Sequence, residues 1–493
     1  MMKKVIVIGA GISGLSAGIY ALKNGFSCEI YEKNINAGGE CIAWKRKGYT
    51  IDGSISWLTG VKPGTAINDV WLETGAFRNE DITFADVFSV IEHEGRRLYW
   101  YRDTDKLSAH LKELSPEDSE AIDELIAIIN DLSSFEVPAR KPMDIMDPAE
   151  RRDHIKHMMQ LFKALNKVSS LTTEEYTERF SSELIRKAIL SFSFKDNLVQ
   201  GVLVTLGALA GCHAGWPAGG SQRITDNMKA CFLSLGGVLN CGKAVAEITV
   251  NDGRVEGIVL EDGTAVSGDY IVPTCDLDIT LHKLLKSRYS DPVLDSFYTG
   301  EGFRTSSIAQ VAFGVECDLS AYPSKMIYAI DEREIAGETI ESVLFTNYCS
   351  EKNFAPEGCS VVKTGLTVYD YSKWYGLSRE EYLRKKEEIK EAYLEYLYRF
   401  FPETKGKVVM CDVTTPLTYE RYCGAYHGAY MGFMLTPATS KMYHSGIIKG
   451  LSGLYAAGQW FSVMGGLPDA LVSGKSAIQR ICANEGIPFS GVQ

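Results

Sequence analysis

No Cys-x-x-Cys pair occurs among the twelve cysteines, and none of the eight histidines completes a Cys/His cluster at zinc spacing. Neither a disulfide framework nor a metal is therefore expected, and reduced thiols in a cytoplasmic setting are the simplest reading. His154 and His157 stand three residues apart but have no acidic or cysteine partner in the sequence that would complete a site. An apolar run able to cross a bilayer is missing as well: residues 198–212 fall short of the ~20 a helix needs, and Gln200, Gly201 and Gly207 interrupt them. That run reads as a buried helix of a substrate cavity. Positive charge is in the minority, with 51 Lys and Arg against 63 Asp and Glu. The net −12 disfavours nucleic acid or an anionic membrane as partner and leaves peripheral contact with neutral lipid open. No P-loop, nucleophile elbow, internal repeat or low-complexity segment stands out.

What is present begins at once. Lys3 and Lys4 before an apolar stretch imitate a signal peptide, but the stretch carries glycines at phosphate-loop spacing and leads to a second strand ending in an acid. Residues 3–9 read as a buried strand, 13–24 as a helix ended by Gly25, and 27–32 as a second strand, which together make one βαβ unit. Short alternating segments over 83–100 predict strands, and 107–212 is mostly helical. From Trp216 another α/β stretch opens, with a helix over 222–235, strands at 244–250 and 255–260, and a strand ending near Pro273. Residues 303–368 look like sheet, and 378–400 like a helix with a Ser378/Glu381 capping box and a solvated charged face. With 493 residues, two domains are expected.

Gly9, Gly11 and Gly14 give G-x-G-x-x-G, with Gly18 one turn later. The first permits the tight turn, the second lets backbone approach a pyrophosphate, and the third and Gly18 let helix and sheet pack closely. Glu32 lies at the end of the second strand, where a carboxylate accepts hydrogen bonds from an adenosine ribose. On these residues alone the dinucleotide could be NAD or FAD.

The Gly9–Gly14 loop is joined by Glu32-Lys33, Gly38-Gly39, Gly48-Tyr49, Asp52-Gly53, Trp216-Pro217, Gly219-Gly220, Gly236-Gly237, Gly458 and Gly466-Leu467-Pro468. In this order the sequence resembles the FAD-dependent family of phytoene desaturases, carotenoid isomerases and retinol saturases, which shares most of these motifs with amine oxidases. The resemblance implies an α/β fold of GR2 type, in which a Rossmann-like FAD-binding domain (1–70, 216–300, 445–493) is interleaved with a mixed sheet-plus-helix substrate domain (71–215, 301–444). It implies FAD held by Gly9, Gly11, Ile12, Ser13, Gly14, Glu32, Lys33, Gly38 and Gly39, with Val245 at adenine. Gly458 and Gln459 would lie beside the ribityl and diphosphate, and a helix from Gly466, Leu467 and Pro468 would point its positive end at the flavin. Two departures stand out: Glu40 and Gln459 occupy positions where many relatives have Arg and an acid, which leaves Lys45, Arg46 or backbone to meet the diphosphate.

The activity implied is oxidation, reduction or isomerisation of carbon–carbon bonds in an apolar polyene or isoprenoid-like molecule, by hydride transfer at flavin N5. The rivals are an amine-oxidase-like enzyme acting on a C–N bond with oxygen as acceptor, and a non-catalytic flavin-binding partner subunit. Electrons would pass to or from a quinone, oxygen or a protein carrier, since no second G-x-G-x-x-G unit offers a nicotinamide nucleotide its own site. Tyr419 and His427 are the candidate proton donors. Met143, Met146, Met158, Met159 and Phe162 in the helical insertion are expected to be ordinary core.

Overall fold

The computed structural model describes residues 2–491; the outermost positions of the expected terminal segments, 1 and 492–493, lie outside them. Val5, Ile6, Val7 and Ile8 are all buried, as a strand covered on both faces must be. That strand, Lys4–Ile8, is central in a four-stranded parallel sheet, flanked by Ser27–Glu32 and Tyr270–Pro273, with Val238–Cys241 beyond Ser27–Glu32. Helix Ile12–Lys23 returns the chain between the first two strands. Its Gly18 is obligatory because a Cβ there would come within 2.7 Å of the Phe232 ring.

The C-terminal helix, Leu467–Glu485, packs against this first helix. A Cβ on Gly474 would fall 2.3 Å from the Ser13 carbonyl oxygen, and the Ser16 hydroxyl donates to the Leu471 carbonyl at 2.7 Å. The two ends of the chain therefore build one surface.

A seven-stranded sheet forms the second body of structure, in the order Val408–Val413, Ser307–Val315, Ser360–Val368, Glu338–Asn347, Lys325–Ile335, Val87–His93, Arg96–Tyr101. Neighbours are antiparallel except Lys325–Ile335 with Val87–His93. Pleat alternation sends Phe313, Met326, Phe345 and Val362 to one face, where they meet Ile389, Tyr393, Tyr396 and Leu397 of helix Arg379–Phe400. The other face, carrying Ala312, packs on the hairpin Ala43–Arg46/Tyr49–Asp52 through Tyr49 and Ile51. The capping box forms as expected, with Ser378 Oγ accepting from Glu381 N and Glu381 Oε2 accepting from Ser378 N.

Helix Gln200–Ala210 is buried through Val202, Leu203, Leu206 and Leu209, and its Gly201 faces Met464. No described helix is long and apolar enough to cross a membrane. The methionine group departs from expectation. On helix Pro148–Leu165 only Leu165 is buried, while Met159 and Phe162 are 58% and 61% exposed and Met143, just before it, is 41% exposed. Met146 and Met158 are half-buried, while Met159 and Phe162, three residues apart, face outward, because the helix touches its neighbours only along one narrow edge.

Candidate cofactor and active site

Glu32 ends its strand beside the glycine loop and is buried. One carboxylate oxygen accepts from Ala10 N at 2.8 Å, and the other from Asn34 N and Nδ2 at 2.9 and 2.7 Å. The acid read from the sequence as a ribose acceptor thus also pins the phosphate loop. Glu32→Ala should cost both apoprotein stability and FAD affinity, each by about 1–3 kcal/mol. Urea unfolding of the apoprotein and equilibrium dialysis of FAD separate the two, and an unchanged unfolding midpoint would deny Glu32 its structural half. Val245 is buried in the cluster that contains Tyr31 and Ile8, at the same end of the sheet. Lys33 is exposed, its ammonium donating to the Arg421 carbonyl.

The glycines divide into two kinds. A Cβ on Gly14 would lie 1.9 Å from the Gly9 carbonyl oxygen, so the fold itself demands glycine there. On Gly11 it would meet nothing nearer than 3.8 Å, on Gly458 nothing nearer than 3.8 Å, and on Gly466 nothing nearer than 3.7 Å. Gly11 also has an ordinary φ of −76°. Packing gives no reason for glycine at Gly11, whereas a ligand lying on bare backbone does. Gly38 and Gly39 sit against Gly11, with Gly38 N donating to the Ala10 carbonyl. Ile12 and Ser13 open the first helix, whose leading N–H groups face away from the helix and suit a diphosphate. The residues present fit FAD.

The other wall comes from the C-terminus. Gly458 N donates to Ser473 Oγ at 2.8 Å, and that hydroxyl lies 3.3 Å from Ser13 Oγ. Gln459 spans the site: its Nε2 donates to Glu40 Oε2 at 3.3 Å and its Oε1 accepts from Gly466 N at 3.1 Å. Glu40 and Gln459 therefore answer one another, which their separate positions in the sequence did not reveal. Burial pushes the Glu40 carboxyl up to about 8, and the amide of Gln459 only partly offsets it. Asp276, which accepts from Tyr426 N, Asp278 N and the Tyr298 hydroxyl, is likewise pushed up by burial, to about 7. Asp469, in the first turn after Leu467 and Pro468, is raised by burial to about 6 while accepting from Ser462 Oγ. Arg46 pairs with Asp412 at 3.6 Å and Lys45 is exposed on the hairpin, while the backbone N–H groups at the start of the first helix suit a diphosphate.

Tyr419 and His427 are not brought together. His427 is exposed, in the left-handed region at φ 52°, and stacked between Tyr426 and Tyr371 at 3.8 and 5.0 Å. The Tyr419 hydroxyl is buried, with Thr414 Oγ1 beside it and no other polar partner. Burial holds the Tyr419 phenol well above its usual range, with Glu40 adding to the effect. Phe433, Met434 and Leu435 are buried nearby along the chain, and Gly432 lies against the Met464–Gly465 backbone, so the surroundings of the last helix's N-terminus are mainly apolar. Among the described residues no group of His, Cys, Asp and Glu is arranged to hold a metal.

Comparison with known proteins agrees with this geometry. The profile of the family described as flavin containing amine oxidoreductase matches residues 12–482. Prolycopene isomerase 1 of an Oncidium hybrid cultivar is 24% identical, covering 98% of this chain and 84% of its own. The lycopene-forming phytoene desaturase of Pseudescherichia vulneris is 21% identical, covering 96% and 98%. Among solved structures, cyclohexylamine oxidase from Brevibacterium oxydans superposes with a TM-score of 0.60 at 15% identity, covering 99% of this chain and 100% of its own. An oxidoreductase from Methanosarcina mazei also gives 0.60 at 16% identity, covering 97% and 100%.

Proposed function

Since the chain belongs to the flavin containing amine oxidoreductase family and is an FAD-dependent oxidoreductase, we propose that it acts on carbon–carbon bonds of an apolar polyene or isoprenoid-like molecule, by desaturation, saturation or isomerisation. The observation that carries this reading is similarity over 96–98% of the chain to proteins named for carotenoid isomerisation and desaturation. FAD, when bound, supplies hydride exchange at N5 with a substrate carbon. The protein's own residues orient the substrate and exclude water. Phe433, Leu435 and Met464 offer apolar walls, and the Gln459 amide ties Glu40, next to Gly38-Gly39, to the start of the last helix.

Tyr419 stays protonated across the ordinary pH range, so it can give a proton to a substrate carbon and cannot serve as a base. Because its hydroxyl has no polar neighbour beyond Thr414 Oγ1, Tyr419→Phe should leave stability within about 0.5 kcal/mol of the parent. If it is the donor, kcat should fall by about 10²–10⁴ with FAD content unchanged. Full activity in this variant removes it from the mechanism.

The test of the function is anaerobic. Oxidised protein should be bleached by a polyene such as phytoene, or dithionite-reduced protein should be reoxidised by lycopene or isomerise it. Peroxide released with a panel of primary amines, and none of these polyene reactions, would establish the amine-oxidase alternative instead. Inertness towards both panels would leave a flavin-binding partner subunit.

A further inference from the structure

On the face of the seven-stranded sheet turned away from helix Arg379–Phe400, two lysines occupy one row. Lys325 is opposite Thr346, and Thr346 is opposite Lys363 on the next strand, which sets the two lysine Cα atoms about 10 Å apart. Both are buried. Among the described residues neither makes an ion pair, and each ammonium has a single hydrogen-bond acceptor: Ser56 O at 2.8 Å for Lys325 and Asp52 O at 2.8 Å for Lys363. Asp52, the nearest acid to Lys363, spends its carboxylate on Ser221 N, Ser221 Oγ and Ser54 N. Lys325 sits over the rings of Phe88 and Trp57, at 3.8 and 5.1 Å from their centres.

Holding the loop over residues 52–56 does not explain two charges. Gln310 makes the same kind of clamp with a neutral amide, donating to Gly53 O at 2.9 Å. An ammonium carries three donors, so each lysine, when protonated, keeps two in excess. Burial does depress both, Lys325 to about 7, with Lys363 adding to it. Two further buried hydroxyls flank the row without partners: Ser89, which like Lys325 precedes the Met326–Val90 pair by one residue, and Tyr348, whose ring lies under Lys363. Four ammonium donors are left over there beside one open acceptor on the same face, Gln310 Oε1, and neither lysine meets a carboxylate.

We propose that Lys325 and Lys363 form a subsite for the carboxylate head of an otherwise apolar substrate. The inference rests on the polyene reading and narrows it: the substrate is a polyene or isoprenoid acid, with its chain among the apolar walls and its head in the aromatic-lined lysine row. Lys325 and Lys363 are then specificity residues, not catalytic ones.

Equilibrium dialysis of the FAD-loaded protein with retinoic acid and with its methyl ester, a polyene pair differing only in the charge of the head, tests this. The acid should bind at least about tenfold more tightly than the ester. Lys325→Met and Lys363→Met keep side-chain length without charge; each should remove that preference while ester binding and FAD content stay as in the parent. Equal binding of acid and ester by the parent protein overturns the lysine subsite and leaves the polyene reading standing. Binding of neither overturns both. A preference that survives in both variants, or a loss of acid and ester together with FAD retained, also overturns the subsite, the last by showing that the lysines only clamp the loop.

Discussion

Gly11→Ala should leave the urea midpoint of the apoprotein within experimental error of the parent and weaken FAD binding about 100-fold, or about 2.7 kcal/mol. Gly14→Ala, three residues on in the same loop, should do the reverse in order: unfold first and lose FAD as a consequence. The added methyl at Gly11 meets ordinary van der Waals distances and an allowed φ, so the folded chain has room for it and only a ligand on the backbone would not. At Gly14 the methyl is driven to 1.9 Å from the Gly9 oxygen, and relief requires the helix to move off the strand. Overpacking of this kind costs about 1–3 kcal/mol or more. Full FAD occupancy in Gly11→Ala would mean that no cofactor rests on that backbone.

FAD affinity should fall as pH rises through about 8 in the parent protein and stay flat in Glu40→Gln. Below that point the Glu40 carboxyl is protonated and tolerates a diphosphate beside Gly39; above it, like charges face one another. The sign for stability follows from the same shift. Glu40, Asp276 and Asp469 all have folded-state values raised above the ordinary carboxyl range, to about 8, 7 and 6. Through these three carboxyls the folded state binds extra protons between about pH 4.5 and pH 8, and the stability they contribute is lost as pH increases, against the buried histidines and lysines, whose lowered values act in the opposite sense. The thermal midpoint of the apoprotein, taken relative to that of Glu40→Gln, should therefore decline across this range. A midpoint with the same pH dependence in parent and Glu40→Gln, or an FAD titration with the same pH profile in both proteins, would show that Glu40 is ionised throughout.

Much of the local structure of the candidate cofactor bed was legible because its determinants are local. A turn needing glycine, an acid at a strand end and Pro468 at the start of a helix each act within a few residues, and all appear where expected. What escaped depends on distant partners. Glu40 and Gln459 each look misplaced alone, and only the fold, bringing them to 3.3 Å across 419 residues, makes them a pair. The same holds for the strand Val87–His93, which joins parallel to Lys325–Ile335. Alternation in its sequence shows that it is a strand and says nothing about which sheet it enters. Met159 and Phe162 misled for the opposite reason: hydrophobic spacing on a helix implies burial only when a neighbour arrives to cover it, and none does. Lys325 and Lys363 carry no signal at all until cross-strand register aligns them.

The contact between the first and last helices has a bearing on how the protein is made. Ser16 and the Leu471 carbonyl it bonds are 455 residues apart in sequence. At ~5–20 residues per second the ribosome delivers the second partner roughly 20–90 seconds after the first. Throughout that interval the glycine loop and its helix exist with one flank uncovered, exposing the apolar side that the last helix will bury. FAD meeting the chain early would find only half of its candidate bed, so tight capture must await emergence of helix Leu467–Glu485. Limiting flavin during synthesis should therefore change the yield of loaded protein little if flavin is restored before the nascent chain is finished, and the half-built groove is the stage at which a chaperone has most to protect.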